Sequence, residues 1–540
     1  MVKNQCFPSG EGEVFFISCP LRLRSTLRQF ILLLAFIFTP ALASAGVQFE
    51  VNEFNVFGDN PLGDKKVKDI LDPYTGPQDG IQNLRDAAQA LEDALISAGH
   101  AFHRVTLPQQ VLDKGTVLLE IRTLVVGKVS TSGNKHFSDT NLIRSLPQLR
   151  EGTTPDTDAL SRALAVANFN TAKRTRLTFG RGSEPDTLDA RIEVRDRPPY
   201  QIYGWLNNTG SEDSTYARLG VGVQHRNLFD RDHNVTATYS NSPEDTSKVK
   251  QWGINYQIPI YHTTGMLGLF YVDSDIDTGR VADVFDVSGG GTTTGIRYTQ
   301  VLNKKGDYRQ RVYLDVVDKL FDNDVDFEGT NIGLDIRSRP ISLNYHVEWS
   351  KEKHSGRTVV GYRQNLSGGD FNTDAAYAAA RAGAEQSWSA IRLDSNWSWY
   401  LPRLWQIDLN LAAQYTDEPL INGEQLGLGG SAGPRGLEER ETSVDRGLST
   451  RLQLWGPPSK NNIRLGWFLD HGRGDRINAQ VGELDDIELT SSGLSVKWQW
   501  SGKLALKLDA GYVLSGFDDV PELTQDGDGR IHASLVYRFF

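Results

Sequence analysis

Few residues of this 540-residue chain have the types and spacing to do chemistry. Gly429-Gly430-Ser431-Ala432-Gly433 fits G-x-S-x-G, the turn that lifts a serine nucleophile in hydrolases. That turn needs a strand before it and a helix after it. Here Pro434-Arg435-Gly436 follows, a poor helix start for such a nucleophile. Asp322-Asn323-Asp324-Val325-Asp326 could gather calcium oxygens, but it lacks the glycine and the distal glutamate of a calcium loop. A solvated polar loop is the plainer reading. The His residues show no paired metal spacing, and no G-x-x-x-x-G-K-[ST] loop is present to hold ATP phosphates. The basic run Lys173-Arg174-x-Arg176 reads as a solvated strand edge or as a docking edge for another chain. No catalytic residue, metal ligand or cofactor is assigned.

Composition narrows the classes further. Apolar residues make up 39% and charged residues 23%, with mean hydropathy −0.40. That excludes both a disordered polymer and a helical membrane protein. Aromatics reach 10%, and the 52 Gly far outnumber the 2 Met, a mix that favours an all-β region. The net charge of −11 argues against a nucleic-acid partner, because nothing here neutralises phosphates wholesale.

At the amino terminus Arg22, Arg24 and Arg28 precede an apolar run, Phe30 to Phe38, and then Ala43-Ser44-Ala45. This is a signal-peptide pattern with cleavage expected after Ala45. A membrane anchor is disfavoured, since a span needs about 20 apolar residues. Cleavage would remove Cys6 and Cys19, the only cysteines, so disulfides and thiol chemistry are excluded from the mature chain. The long stretch before Arg22 raises the question whether Met1 is the true start.

The elements that must carry any function divide at Arg197-Pro198-Pro199, a stiff extended linker. All 11 Trp lie at or after Trp205. Before the linker, a β-α-α-β-β unit occurs twice, offset by about 75 residues from Gly58 to Gly133. In the first unit a strand over Phe49–Val56 leads to helices at Val67–Leu71 and Ile81–Ala98, then strands Phe102–Leu107 and Thr116–Thr123. In the second, strand Gly127–Thr131 precedes a helix capped by Ser138, a helix Asp156–Asn168, and strands Arg174–Phe179 and Leu188–Val194.

After the linker, short stretches alternate apolar and polar with period two, as in Ile341–Trp349, Trp405–Leu411, Leu494–Trp500 and Leu504–Asp509. A half-buried soluble sheet fits this alternation as well as a membrane barrel does. Two features favour the barrel. Aromatics cluster at strand ends (Trp397, Trp399, Tyr400; Trp498, Trp500), as interface girdles require. The chain also stops on a strand, Ile531 to Phe540, which a barrel needs for closure without a free edge.

Several motifs stand in order along the chain. Pro73-Tyr74-x-Gly76 and Arg104-Val105-Thr106-Leu107-Pro108-Gln109-Gln110 with Gly115 stand in the first unit. Past the linker come Asn207-Asn208-Thr209-Gly210, Arg226-Asn227-Leu228-Phe229-Asp230-Arg231-Asp232 and Tyr256-Gln257-Ile258-Pro259-Ile260. Gly429–Leu437 is followed by Asp445-Arg446-Gly447, and Phe468-Leu469-Asp470-His471-Gly472 reads F-x-D-x-G. Over about 48–540 the chain resembles two-partner secretion transporters, the haemolysin and filamentous-haemagglutinin exporters of the POTRA-plus-barrel superfamily.

The resemblance implies α+β periplasmic POTRA repeats followed by an all-β transmembrane barrel of sixteen antiparallel strands. It divides the chain into a signal peptide (1–45), a first POTRA domain (46–124), a second (125–198) and the barrel (199–540). It also implies that the loop tip Arg435-Gly436 folds back into the lumen and meets Asp470 on the wall, with Gly429, Gly430, Asp445 and Gly447 supporting the loop. An edge strand at Arg174, Arg176 and Leu177 would bind the client. The implied function is export of a large partner protein, unfolded in the periplasm, to the cell surface or medium. The other implied partners are outer-membrane lipid and the barrel-assembly machinery, which would read a final strand ending in Phe540. Leu437 departs from the family by replacing an aromatic, so the loop is expected to lean more on the Arg435–Asp470 pair. A plug helix before the first unit is expected to be absent. The final ladder ends on Phe539, with Phe540 one step beyond. The alternatives are a barrel-assembly or surface-protein insertion factor and, from another class, a secreted hydrolase on a β scaffold.

Overall fold

The computed structural model describes residues 48–111, 114–211, 215–274, 279–281, 285–287, 290–321, 326–327, 330–331, 335–480, 483–517 and 520–539. The signal region, the Asp322–Val325 acidic stretch and Phe540 therefore lie outside the described residues.

The first unit comprises β1 (Gln48–Val51), β2 (Glu53–Gly58), α1 (Asp64–Leu71), β3 (Gly76–Asp79), α2 (Gln82–Ser97), β4 (His103–Thr106) and β5 (Thr116–Thr123). The single strand expected over Phe49–Val56 is broken at Asn52. Its backbone N–H and its side-chain amide turn to Gly115 and Lys114, each at 2.8 Å. The freed β1 pairs antiparallel with β3, a strand hidden from sequence reading by Gly76 and Pro77. The second unit comprises β6 (Val125–Ser132), α3 (Asp139–Arg144), α4 (Thr157–Ala167), β7 (Lys173–Arg181) and β8 (Thr187–Asp196). Its sheet order, β6-β8-β7, repeats the β2-β5-β4 order of the first, with one parallel and one antiparallel pairing in each.

Local chemistry explains these elements. Leu84, Ala87, Ala88, Leu91 and Leu95 form one buried stripe on α2, and Gly99 ends the helix at φ +94°. Ser138 Oγ accepts from the Asn141 N–H at the start of α3. Asp156 does the same for the first turn of α4, accepting from Asp158 and Ala159.

From Tyr200 to Arg538 the chain forms a closed antiparallel barrel of 16 strands. One of them is interrupted at Arg339, between Ile336–Ser338 and Pro340–Ser350, and both pieces pair with Tyr308–Phe321. Alternation sets the faces. On Arg218–Leu228, Leu219, Val221 and Val223 face outward, while Arg218, Gly220 and Gly222 are buried within. Trp349, Trp397 and Trp399 pack edge to face with 6.1 and 5.8 Å between ring centroids, and Trp498 stacks on Trp500. These rings ring the end with short turns, the end that carries the two α+β units. Among the described residues no helix is long and apolar enough to cross a membrane.

Candidate functional site: the lumen loop, the joint and the edge

The loop between the strands Gln406–Tyr415 and Arg446–Trp455 folds into the barrel. Its short hairpin, Leu426–Leu428 with Thr442–Val444, carries the tip. At the tip Arg435 is 2% exposed and Asp470 0%. Arg435 Nε and Nη2 donate to the two oxygens of Asp470 at 2.7 and 2.8 Å, and the Arg435 backbone N–H adds a third bond at 3.1 Å. This is the planar fork on a carboxylate that only arginine offers.

The remaining guanidinium nitrogen, Nη1, reaches Gln453 Oε1 at 2.7 Å and Asp509 Oδ1 at 3.3 Å. Asp509 is also paired to Lys507 at 2.6 Å. The guanidinium lies 3.6 Å above the Phe468 ring, so cation–π attraction adds to the pairing. Next along, the Gly436 N–H donates to His532 Nε2 at 3.1 Å.

The three fixed positions of Phe468-Leu469-Asp470-His471-Gly472 then have reasons. Phe468 stacks under the guanidinium and Asp470 accepts its fork. Gly472 makes room, since a Cβ there would stand 2.9 Å from Pro434. Gly436, at φ +101°, packs against Gly511, where a Cβ would meet the Gly436 nitrogen at 2.6 Å. Sequence reading missed Gln453, Lys507, Asp509, Gly511 and His532. The polar alternation of Leu504–Asp509 put Lys507 and Asp509 on one face, but nothing in their spacing named the loop they would meet.

Leu437 adds an apolar hold beside the ion pair. It is fully buried among Leu426, Leu428, Val444, Leu489 and Val513. An aliphatic pocket thus holds the position where the family has an aromatic. Ser431 sits in a turn of the same loop, and no helix follows it. The strand-turn-helix context of a nucleophile is missing there.

The loop stem has its own locks. Asp445 is fully buried and accepts from Arg381 Nη1 (2.6 Å), the Ile477 N–H (2.7 Å), the Leu420 N–H (2.8 Å) and Gln425 Nε2 (2.9 Å). Gly429 and Gly430 turn the loop at φ +104° and +86°. Gly447 lies where a Cβ would be 2.5 Å from the Arg473 carbonyl.

The second α+β unit meets the barrel at the hairpin Phe229–Asp232. Lys173 corrects the reading of its run as a solvated edge: its ammonium is fully buried and reaches Asp232 at 2.7 Å and Asn141 Oδ1 at 2.8 Å. Asp232 also accepts from Tyr261 at 2.5 Å and from Asn170 at 2.8 Å. Ser138, Asn141 and Arg144 of the unit bond Asp230. Burial pulls the Lys173 ammonium below its ordinary pKa, and Asp232 opposes that pull. Burial drives the Tyr261 phenol well above its ordinary range, and Asp232 adds to it. Beside this polar half, Val166, Ala167 and Phe169 pack on Tyr261, Met266 and Val301.

Among the described residues strand β7 is an edge, paired only with β8. The Thr175 N–H donates to Asn168 Oδ1 at 2.7 Å, and its carbonyl accepts from Asn168 Nδ2 at 3.0 Å. Thr175 backbone groups therefore face outward and are already occupied. By antiparallel alternation Leu177 also presents its backbone outward, whereas Arg174 and Arg176 turn theirs to β8. The side chains of Arg174 and Arg176 are exposed on the sheet face.

Residues 188–498 match the family model described as haemolysin secretion/activation protein ShlB/FhaC/HecB. Residues 49–122 match the ShlB-type POTRA domain. The outer membrane transporter CdiB-2 of Burkholderia pseudomallei is 21% identical over 419 residues, 75% of this chain and 70% of the relative. The heme/hemopexin transporter protein HuxB of Haemophilus influenzae is 18% identical over 86% of this chain and 83% of its own length. Among solved structures, CdiB from Escherichia coli superposes with TM-score 0.76 at 15% identity, covering 93% of both chains. CdiB from Acinetobacter baumannii does so with TM-score 0.68 at 16% identity, covering 91% of this chain and 90% of its own.

Proposed function

The chain belongs to the haemolysin secretion/activation family ShlB/FhaC/HecB, two-partner secretion transporters that sit in the outer membrane with periplasmic POTRA domains and export a partner protein through the barrel; on that premise we propose how this one works. The mature chain starts near Gly46 after signal cleavage, and its barrel faces outer-membrane lipid. The barrel-assembly machinery receives it through the strand Gly529–Arg538. A large client, unfolded in the periplasm, adds as a strand to the edge of the second POTRA domain at Leu177. Backbone hydrogen bonds supply that contact with little demand on client sequence. Arg174 and Arg176 flank the edge as surface cations. The chain then passes the lumen and folds outside, and no step is enzymatic.

The observation that carries this reading is the buried fork of Arg435 on Asp470, inside a closed barrel seated on the POTRA pair. A loop held across a lumen must give way for a polypeptide to pass. The lock is thus the point at which export is controlled. The test is co-expression with a partner protein. Export should require the intact tip, while an unboiled sample still runs as a folded barrel on a detergent gel. Equal export with the tip residues replaced would remove the lock from the mechanism.

A further inference from the structure

Two cavities meet beneath the barrel. One, of about 620 Å³, is the lumen mouth, lined by inner-face residues such as Gln224, Thr236 and Gln257. The other, of about 280 Å³, is a side groove between α4 and the rim turn Leu302–Asp307. Phe169 is the one residue that lines both, among the described residues. Arg311, on the inner wall, stacks its guanidinium 5.2 Å from the Phe169 ring.

The groove has an apolar floor of Leu164, Ala165 and Val301, and its cations are Arg162, Arg174, Lys304, Arg309 and Arg311. Glu348 is the one carboxylate in its lining, paired with Arg309 at 3.1 Å and Arg311 at 3.4 Å. Positive charge is therefore in surplus over an apolar surface, on a chain whose net charge is −11. Such a surface complements an extended segment that mixes acidic and apolar side chains.

We propose that this groove is where the exporter receives an acidic and apolar stretch of its unfolded client, and that Phe169 against Arg311 is the partition between the groove and the lumen. This rests on the reading that the second POTRA domain takes up the client, and it adds a place and a chemistry to it. Once in the groove, the segment reaches the lumen by displacing one aromatic ring. The Asn168 amide on Thr175 keeps the near end of the β7 edge closed, so strand addition begins further along, from Leu177.

The full chain in lipid nanodiscs tests this with two short labelled peptides, one alternating Glu and Val, the other Lys and Val. The Glu peptide should bind and the Lys peptide should not. The double replacement Arg162→Glu with Lys304→Glu should weaken the Glu peptide about tenfold or more. Phe169→Ala should raise ion conductance in planar bilayers, with the folded-barrel gel shift retained. Leu177→Pro separates the groove from the edge. If Leu177→Pro abolishes binding while the charge reversal leaves it unchanged, the groove is wrong and the edge stands. Equal binding of both peptides, or unchanged conductance in Phe169→Ala, likewise overturns the proposal. If both the reversal and Leu177→Pro leave binding unchanged, groove and edge fail together.

Discussion

Two buried ion pairs hold the two parts of this exporter that must be positioned for transport, and they are built differently. At the tip, Arg435 makes a planar fork to Asp470 with Phe468 beneath it. At the joint, Lys173 reaches Asp232 as a point charge, with Tyr261 and Asn170 sharing the same carboxylate. A fork fixes direction as well as distance, whereas an ammonium fixes distance alone. The lumen loop is therefore set in one orientation by its tip pair, while at the joint Lys173 is one contact among the hydrogen bonds to Asp230 and the apolar packing of Val166, Ala167 and Phe169. The contrast reads as a latch and a joint.

The sharpest way to break the contrast is at the latch. Arg435→Ala strips several partners at once and leaves Asp470 buried without its cation, a loss on the order of 3–5 kcal/mol if the site stays dry. Export should be lost, and Arg435→Lys should fail to restore it because a lysine cannot make the fork. Asp470→Ala should be milder, since Asp509 still faces the guanidinium. Secretion of a co-expressed partner, measured in the medium, checks all three.

At the joint, Lys173→Met removes the charge but keeps the stem. Export should fall severalfold, not vanish, and protease should cut faster at Arg197–Pro199. Vanished export would make the joint a latch as well. At the β7 edge, Leu177→Pro deletes an outward donor, and export should drop a few-fold. Thr175→Pro breaks only a bond already made to Asn168 and should do less. The smallest effect belongs to Ser431→Ala. The Ser431 backbone N–H bonds Glu439, and the substitution preserves it, so export should not change.

Much of this was legible in the sequence. Period two marked the barrel strands, and the stripe of α2 marked its helix. The family resemblance implied that Arg435 meets Asp470. The joint was not legible. Lys173 reads as one of three bases on a strand, and its burial depends on a hairpin at Phe229–Asp232 that only the fold brings to it. Alternation tells which face a residue takes but not which neighbour it meets, so Gln453 and Asp509 escaped. Gly511 carried a usable signal, an inward glycine in a strand, which marks a close backbone approach.

The central claim is that Arg435 and Asp470 act as one lock on the lumen loop. A double-mutant cycle tests it most directly, reading both export and protease sensitivity of the loop in Arg435→Ala, Asp470→Ala and the pair. The account predicts that the double variant is scarcely worse than Arg435→Ala alone, with a coupling of about 1–3 kcal/mol in loop stability. Simple addition of the two effects would show that the residues are not partners and would contradict a loop locked across the lumen.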